Sequence, residues 1–439
     1  MNISQTLKQT WRDSRQHPVY TTLYITGVAL AIVFTMVFSI IFFVKTAPFY
    51  PEYNRNCTYY LDGTMLKMGE STSRYYMGAG IVKDHIYNVK NAEIISVTEA
   101  TDNDELPFIT VAGTDKVWRN PCLPVDANFF KIYELSFTEG HPITQDDFDA
   151  GSQVAVISDR LAITLFRSED AAIGQEISIN YVPYRVIGVV KEAPTSMARA
   201  FSQIYIPYTA LDTYKSSTAY DTSSYLLGSL VAHFKVKDSR QAELLQEEIN
   251  EIARRIVTSD STITEFEVEP IYTNAQFQLA EKSWGRDGDW WSLIKRYGLV
   301  FLALLLVPAL NLSGMISSRM DSRLSEMGIR KAFGATKSKL LSQVLLENLY
   351  LTLIGSLIGL ILSYVCILIT QKWILSLFED WPNLPGDFGG YSFSAEMLFS
   401  PVVFLSVMLL CLVLNLVSGF IPAWLSLRRP IVSSINQKR

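Results

Sequence analysis

Four stretches of this chain, residues 20–44, 297–317, 349–369 and 402–425, contain no charged residue. Each is about 20 residues or longer, the length a helix needs to cross a hydrocarbon layer. One such stretch could be a buried core helix. Four of them, flanked by interfacial residues, predict a chain that crosses a membrane four times. The composition agrees, since 49% hydrophobic and 18% charged residues are too apolar for an ordinary soluble domain and too polar for a chain buried mostly in lipid. The expected fold class is a membrane protein with four transmembrane α-helices and a large extracytoplasmic α+β domain between helices 1 and 2.

The first stretch reads as a retained anchor. Lys8, Arg12 and Arg15 could open a signal peptide, but the apolar run is far longer than such peptides carry, and "KTAP" (45–48) is a poor cleavage site. Orientation follows from Lys and Arg, which favour the cytoplasmic side. Residues 1–19 hold three basic residues and one acidic, residues 318–348 six and three, and residues 426–439 four and none. These stretches sum to +9 in a chain of −5, so the rest carries −14. The pattern predicts a multi-pass membrane protein with both termini cytoplasmic. Trp11, Trp290, Trp291, Trp373 and Trp424 fall near expected span ends, where an amphipathic ring is comfortable.

Residues 1–18 read as a cytoplasmic amphipathic elbow helix, with Ile3, Leu7 and Trp11 at every fourth position and a bend at His17-Pro18. The spans are then 19–44, 297–317, 349–369 and 402–425. Between them lie the external domain (45–275), a stalk (276–296), a cytoplasmic loop (318–348) and a short external loop (370–401). Residues 426–439 form a cytoplasmic tail. Inside the external domain, "QEISIN" (175–180) alternates as a half-buried strand does. Strands are also expected at 153–158, 184–192, 203–208, 229–237 and 265–272. "DRLAITLF" (159–166) suits a helix, as does 239–257, with Ser239 as a candidate N-cap. At least one β-α-β unit is expected near the C-terminal end of the domain.

The chemistry of catalysis is missing from the sequence. "GATKSK" (334–339) has neither the Gly-Lys-Ser/Thr ending nor the preceding strand of a phosphate loop. No nucleophile elbow, zinc-protease helix or dinucleotide fingerprint occurs. The acidic runs "TDNDE" (101–105) and "TQDDFD" (144–149) read as solvated turns. His17, His85, His141 and His233 are scattered without metal-ligand spacing. Cys366 and Cys411 fall inside spans as packing residues. Cys57 and Cys122 fall outside, where a disulfide is permitted but not argued for by spacing. The expectation is therefore a non-catalytic chain with no metal, no directly bound cofactor and no nucleic-acid partner. Within the spans the polar residues are mild (Asn311, Asn415, several Ser and Thr) and none is ionisable. Ion-coupled transporters usually carry an ionisable group at depth, so no polar path through the bilayer is visible. Gly355-Ser356 and Gly359 make a small-residue face on the third span, suited to close packing within one chain or to a dimer seam.

"SEMGIRKAFGATKSKLLSQVLLENLYLTLIGSLIGLILS" (325–363) resembles the signature of the FtsX-like permease domain, through Glu326, Ile329, Arg330, Lys331, Ala332, Gly334, Ala335, Glu347, Gly355 and Gly359. Residues 153–208, from "QVAVISDRLAITLF" onward, resemble the periplasmic core domain of MacB-like permeases. "NFFKIYELSFTEGHPI" (128–143) fits the segment just before it, and the N-terminal "WRDSRQHPVYTTLYITGVALAI" resembles the opening of that family. Residues 45–120 resemble it only weakly. MacB carries a fused ATPase domain ahead of its first span. About 18 residues precede the span here, so the chain looks like a stand-alone permease of this type VII ABC group.

The resemblance implies a mechanical role. A second permease, identical or not, would lie alongside, and a separate ABC ATPase subunit would grip each from below, so that ATP enters through the partner alone. ATP binding would close the ATPases, and the spans would carry the movement to the external domains. The substrate would be a drug or peptide expelled through a periplasmic adaptor and a TolC-like outer-membrane channel. Lipoprotein release, or sensing and control of a periplasmic partner, are the alternatives. In this picture Glu326, Met327, Ile329, Arg330, Lys331, Phe333, Gly334 and Ala335 form the coupling helix that docks into the ATPase. Phe333 is the expected anchor, Gly334 the left-handed helix end, and Thr336 the cap of the next helix.

Overall fold

The computed structural model describes residues 18–100, 106–217, 222–276, 297–304, 324–376, 395–398 and 400–428, with scattered residues at 12–16, 291–295 and 306–318. The chain divides into two compact units, one of Met1–Val44, Trp291–Ile374 and Ala395–Arg439, the other of Lys45–Trp290 and Leu375–Ser394. The helices needed below are α1 (Pro18–Thr46), α2 (Asp159–Phe166), α3 (Ser239–Ser259), α4 (Leu324–Ala332), α5 (Lys337–Ser376) and α6 (Pro401–Arg428).

In the first unit, three described helices are long and apolar enough to cross a membrane: Pro18–Thr46, Lys337–Thr370 and Pro401–Leu425. The expected second span is helical at 297–304, but much of 297–317 lies outside the described residues. The expected elbow helix, most of the stalk, most of the 370–401 loop and most of the tail lie outside them too. The third span starts earlier than its uncharged stretch suggests. α5 runs for 40 residues from Lys337, so the last part of the expected loop is a helical extension of the span. Leu340 and Val344 are buried there, and packing continues the helix through a charged segment that hydropathy alone would exclude.

The second unit is built on sixteen described strands: β1 (Thr58–Leu61), β2 (Thr64–Met68), β3 (Ser71–Met77), β4 (Ile94–Glu99), β5 (Phe108–Val111), β6 (Trp118–Arg119), β7 (Cys122–Val125), β8 (Phe137–Gly140), β9 (Val154–Ser158), β10 (Glu176–Ile179), β11 (Val182–Val190), β12 (Ile204–Pro207), β13 (Leu227–Gly228), β14 (Leu230–Lys235), β15 (Glu265–Val268) and β16 (Tyr272–Thr273). The main order is β15-β2-β3-β14-β4-β7-β12-β9-β11-β10-β5-β6, with β1, β8, β13 and β16 attached beside it. Pairings are antiparallel except β9 with β11 and β7 with β12. β9 is buried at every position, as a strand covered on both faces should be. α2 begins directly after it, capped by Ser158, whose hydroxyl accepts from Leu161 N at 3.2 Å. In α3, Ala242, Leu245, Ile249, Ala253 and Ile256 recur on one face and are buried. Its cap is Asp238, one residue before the expected Ser239, with Oδ1 accepting from Gln241 N at 2.9 Å. The order β14-α3-β15 is present, but β15 pairs with β2 and not with β14.

Candidate functional site

The α4–α5 corner is a closed piece of backbone geometry. Gly334 stands at φ +91°, in the left-handed region that glycine enters without steric cost. Its N–H donates to Lys331 O at 3.0 Å, and Ala335 N–H donates to Arg330 O at 3.0 Å. Those two bonds are a Schellman ending, which satisfies the last carbonyls of α4. Thr336 then opens α5, its hydroxyl accepting from Lys339 N at 3.4 Å and its carbonyl from Leu340 N at 3.2 Å. Only Gly334 and Ala335 separate Phe333, the C-cap of α4, from the cap of α5. No free linker lies between the helices.

The side chains of α4 sort by face. Met327 is buried. Ile329 and Phe333, one helical turn apart on a common face, are 50% and 88% exposed. Ala332 is exposed and Ala335 half-buried. Arg330 is half-buried. Its Nη1 donates to Gln343 Oε1 on α5 at 3.0 Å, bracing the corner from inside. Partial burial and the nearby Lys337 ammonium lower the Lys331 pKa. The side chain of Glu326 lies outside the described residues. Gln343 went unnoticed in the sequence reading, because no periodicity links it to Arg330 across a turn.

The small-residue face of α5 meets α1. A Cβ on Gly355 would stand 2.8 Å from Val28 Cβ, and one on Gly359 would stand 2.9 Å from Ala29 O. Beside them Tyr24 and Thr352 share a buried hydroxyl hydrogen bond of 3.2 Å. These two glycines therefore serve packing within the chain, which the sequence left open against a dimer seam. α6 uses the same device, since a Cβ on Gly419 would stand 2.9 Å from the buried Asn348 Nδ2 of α5.

Elsewhere the acidic runs take structural places. Thr144 and Asp147 form a capping box on the short helix Gln145–Asp149, while 101–105 lies outside the described residues. All four cysteines are free thiols. Among the described residues no group of three or more His, Cys, Asp or Glu could hold a metal ion.

Apolar spanning helices, a capped corner beside them and a large mixed-sheet unit define an integral membrane protein of the permease class. The MacB-like periplasmic core domain matches residues 21–252, and the FtsX-like permease C-terminal domain matches residues 298–431. The chain belongs to this family of MacB/FtsX-type permeases. It is 26% identical over 260 residues, 59% of each chain, to a Bacillus subtilis (strain 168) protein named as the uncharacterized ABC transporter permease YknZ. It is 26% identical over 308 residues to the macrolide export ATP-binding/permease protein MacB of Escherichia coli (strain K12), covering 68% of this chain and 40% of that one. The chain thus spans less than two thirds of the length of these relatives. Among solved structures, the periplasmic region of MacB from Actinobacillus actinomycetemcomitans is similar with a TM-score of 0.36 and 17% identity, over 53% of this chain and 95% of that one. The extracellular domain of YknZ is similar with a TM-score of 0.32 and 15% identity, over 48% and 99%.

Proposed function

We propose that this chain is the permease subunit of a MacB-type ABC transporter. A partner ABC ATPase hydrolyses ATP, and this chain passes the resulting movement to its external domain, beside a second permease copy or homologue. The observation that carries the reading is the corner at Gly334. α4 presents Ile329 and Phe333 outward, and only two capped residues separate it from a helix long enough to span the membrane. A push on α4 would reach α5 as rigid-body motion. Expulsion of a drug or peptide through a periplasmic adaptor and an outer-membrane channel follows from the family alone.

Phe333→Ala tests the docking. An exposed aromatic that anchors a small interface is worth about 2 kcal/mol on truncation, roughly a thirtyfold loss in ATPase affinity. Membrane insertion and protein level should stay unchanged, because Phe333 packs on little of its own chain. Copurification of the ATPase, together with transport-coupled ATP turnover in reconstituted vesicles, measures the loss. Gly334→Val should uncouple the two without a clash, since a Cβ there meets nothing within 4 Å. The cost is the left-handed backbone, about 1–2 kcal/mol. Unchanged ATPase binding and turnover in both variants would remove the docking role.

A further inference from the structure

An open cleft of about 660 Å³ lies in the external unit beside β5 and β6, inside the size range of small-molecule sites. The β5–β6 register sets Phe108 opposite Arg119 and Ile109 opposite Trp118. The Arg119 guanidinium lies 4.5 Å over the centre of the Phe108 ring. Arg160, near the start of α2, also lines the cleft, with Nη1 3.6 Å from Glu192 Oε1. Gln203, also in the lining, donates Nε2 to Glu192 Oε2 at 2.7 Å and accepts from Asn120 Nδ2 at 2.5 Å. This chain of bonds holds Glu192 beside Arg160. Among the described residues, two guanidinium groups and no carboxylate line the cleft, although the chain outside its cytoplasmic stretches carries −14.

The rim holds a backbone irregularity. β10 and β11 join through Asn180 at φ +47° and Tyr181 at φ +69°. Asparagine tolerates the left-handed region, and the second place of such a turn favours glycine. Tyr181 occupies it instead, with 88% of its surface exposed, so no burial offsets the unfavourable backbone. Asn180 pins the turn to β5, its Oδ1 accepting from Phe108 N at 2.9 Å and its N–H donating to Phe108 O at 2.9 Å. A bulky residue kept in a disfavoured conformation, exposed, at the mouth of a cleft, marks a contact made to something outside the fold.

We infer that this cleft binds a small anionic aromatic compound, with its ring against Trp118 and Tyr181 and its acid group on Arg119 and Arg160. A cationic ligand would meet two guanidinium groups and would find the Phe108 face already taken by one of them. Stacking leaves the edge donors of Arg119 free, and those edges match a carboxylate or sulfonate.

The test uses the full chain in lipid nanodiscs and equilibrium dialysis with 1,5-naphthalenedisulfonate, an aryl dianion that stays out of the bilayer. Empty nanodiscs give the background. One saturable site per chain is expected. Arg119→Gln should weaken binding about tenfold, the loss of one charge-assisted bidentate contact. Tyr181→Gly should weaken it about fivefold through lost stacking, with the thermal midpoint unchanged or raised, because glycine suits the turn. The neutral 1,5-dihydroxynaphthalene should bind about tenfold more weakly than the disulfonate. Absence of saturable binding above empty nanodiscs overturns the inference. So does an affinity unchanged in both variants, or a diol that binds as tightly as the disulfonate.

Discussion

In the external unit Tyr60, Phe129, Phe201 and Phe234 are wholly buried, whereas along α5 and α6 of the membrane unit Leu357, Ile361, Ile369 and Val402 are each more than half exposed. The buried polar groups differ as sharply. The external unit buries two ion pairs, Glu52 with Arg55 at 2.9 Å and Asp62 with Arg199 at 2.9 Å, and surrounds the buried Asp126 carboxyl with hydroxyl and backbone donors. The membrane unit buries one acidic side chain, Glu347 on α5, but its other described buried polar groups are neutral, and the hydroxyls of Ser356 and Ser363 donate to their own helix at Thr352 O and Leu360 O, both at 2.7 Å. The difference reflects the solvent each unit expects. Against water, apolar bulk goes inside and a buried charge needs a partner. Against lipid, apolar bulk can face outward, and the interior needs only close approach and satisfied backbone.

The largest expected effect breaks an external ion pair. Arg199 donates to both oxygens of Asp62 and to the Tyr272 hydroxyl, and its guanidinium lies 4.8 Å over the Tyr60 ring. Tyr272 also donates to Asp62. Asp62→Ala removes the carboxylate in direct contact with a mostly buried guanidinium and leaves Glu52 as a nearby acidic group, and breaking such a buried pair costs up to about 3–5 kcal/mol. Chemical denaturation of the full chain in nanodiscs should show it. The double variant Asp62→Leu/Arg199→Met should recover most of the loss. Equal losses in the single and double variants would mean that the charges do not act as a pair.

The matching break in the membrane unit is steric. Gly359→Leu would drive side-chain atoms into the backbone of α1 at Ala29. Overpacking of this kind costs about 1–3 kcal/mol. Ser356→Ala, which leaves an ordinary helix carbonyl behind, should stay within roughly 1 kcal/mol of wild type. A loss from Ser356→Ala larger than that from Gly359→Leu would undo the view that close approach, more than polar bonding, holds this unit.

Much of this is legible in the sequence alone. The uncharged stretches gave α1, α5 and α6, because lipid demands long runs without charge and few soluble segments imitate them. The strands β9 to β12 and β14 were visible through alternation or short apolar runs. Gly334 and Thr336 were readable as a helix end and a helix start, because capping chemistry is local. The first part of the external unit was not legible. β3 comes from "STSRYYM", whose burial is mostly partial or absent, while β1 and β7 are buried at three of four positions each, so neither shows a clean alternation. The cleft was equally hidden. Arg119, Arg160 and Tyr181 are far apart in sequence, and only the order β11-β10-β5-β6 brings their elements together. Arg330 illustrates the limit on side chains, since nothing in the sequence pattern pairs it with Gln343.

The smallest effect is the one that separates the units by pH. His233 is 1% exposed on β14, with Nδ1 2.6 Å from the Tyr133 hydroxyl and Nε2 3.0 Å from Thr98 Oγ1. Burial first, and the Arg199 charge second, hold its pKa well below the usual histidine value. The unfolded chain therefore binds a proton below about pH 6.5 that the folded chain refuses. Stability is complete above that pH and declines as pH falls, at up to about 1.4 kcal/mol per pH unit for one proton. Asp126 acts the other way. Burial raises its pKa to about 6, so its favourable contribution is full at low pH and fades as pH rises toward 6. Burial raises Glu52 and Glu99 in the same way, so these carboxyls oppose the His233 loss as pH falls from 7 to 5. His233→Gln should abolish that loss and leave the opposite trend of the carboxyls. Thermal midpoints of the full chain in nanodiscs, read at half-unit steps, measure the difference. No Asp, Glu, His, Lys or Arg lies in the uncharged stretches of the spans, so the acid loss should appear in near-ultraviolet signals of the external tyrosines and not in total helicity. An acid loss that survives His233→Gln would place the titrating group elsewhere.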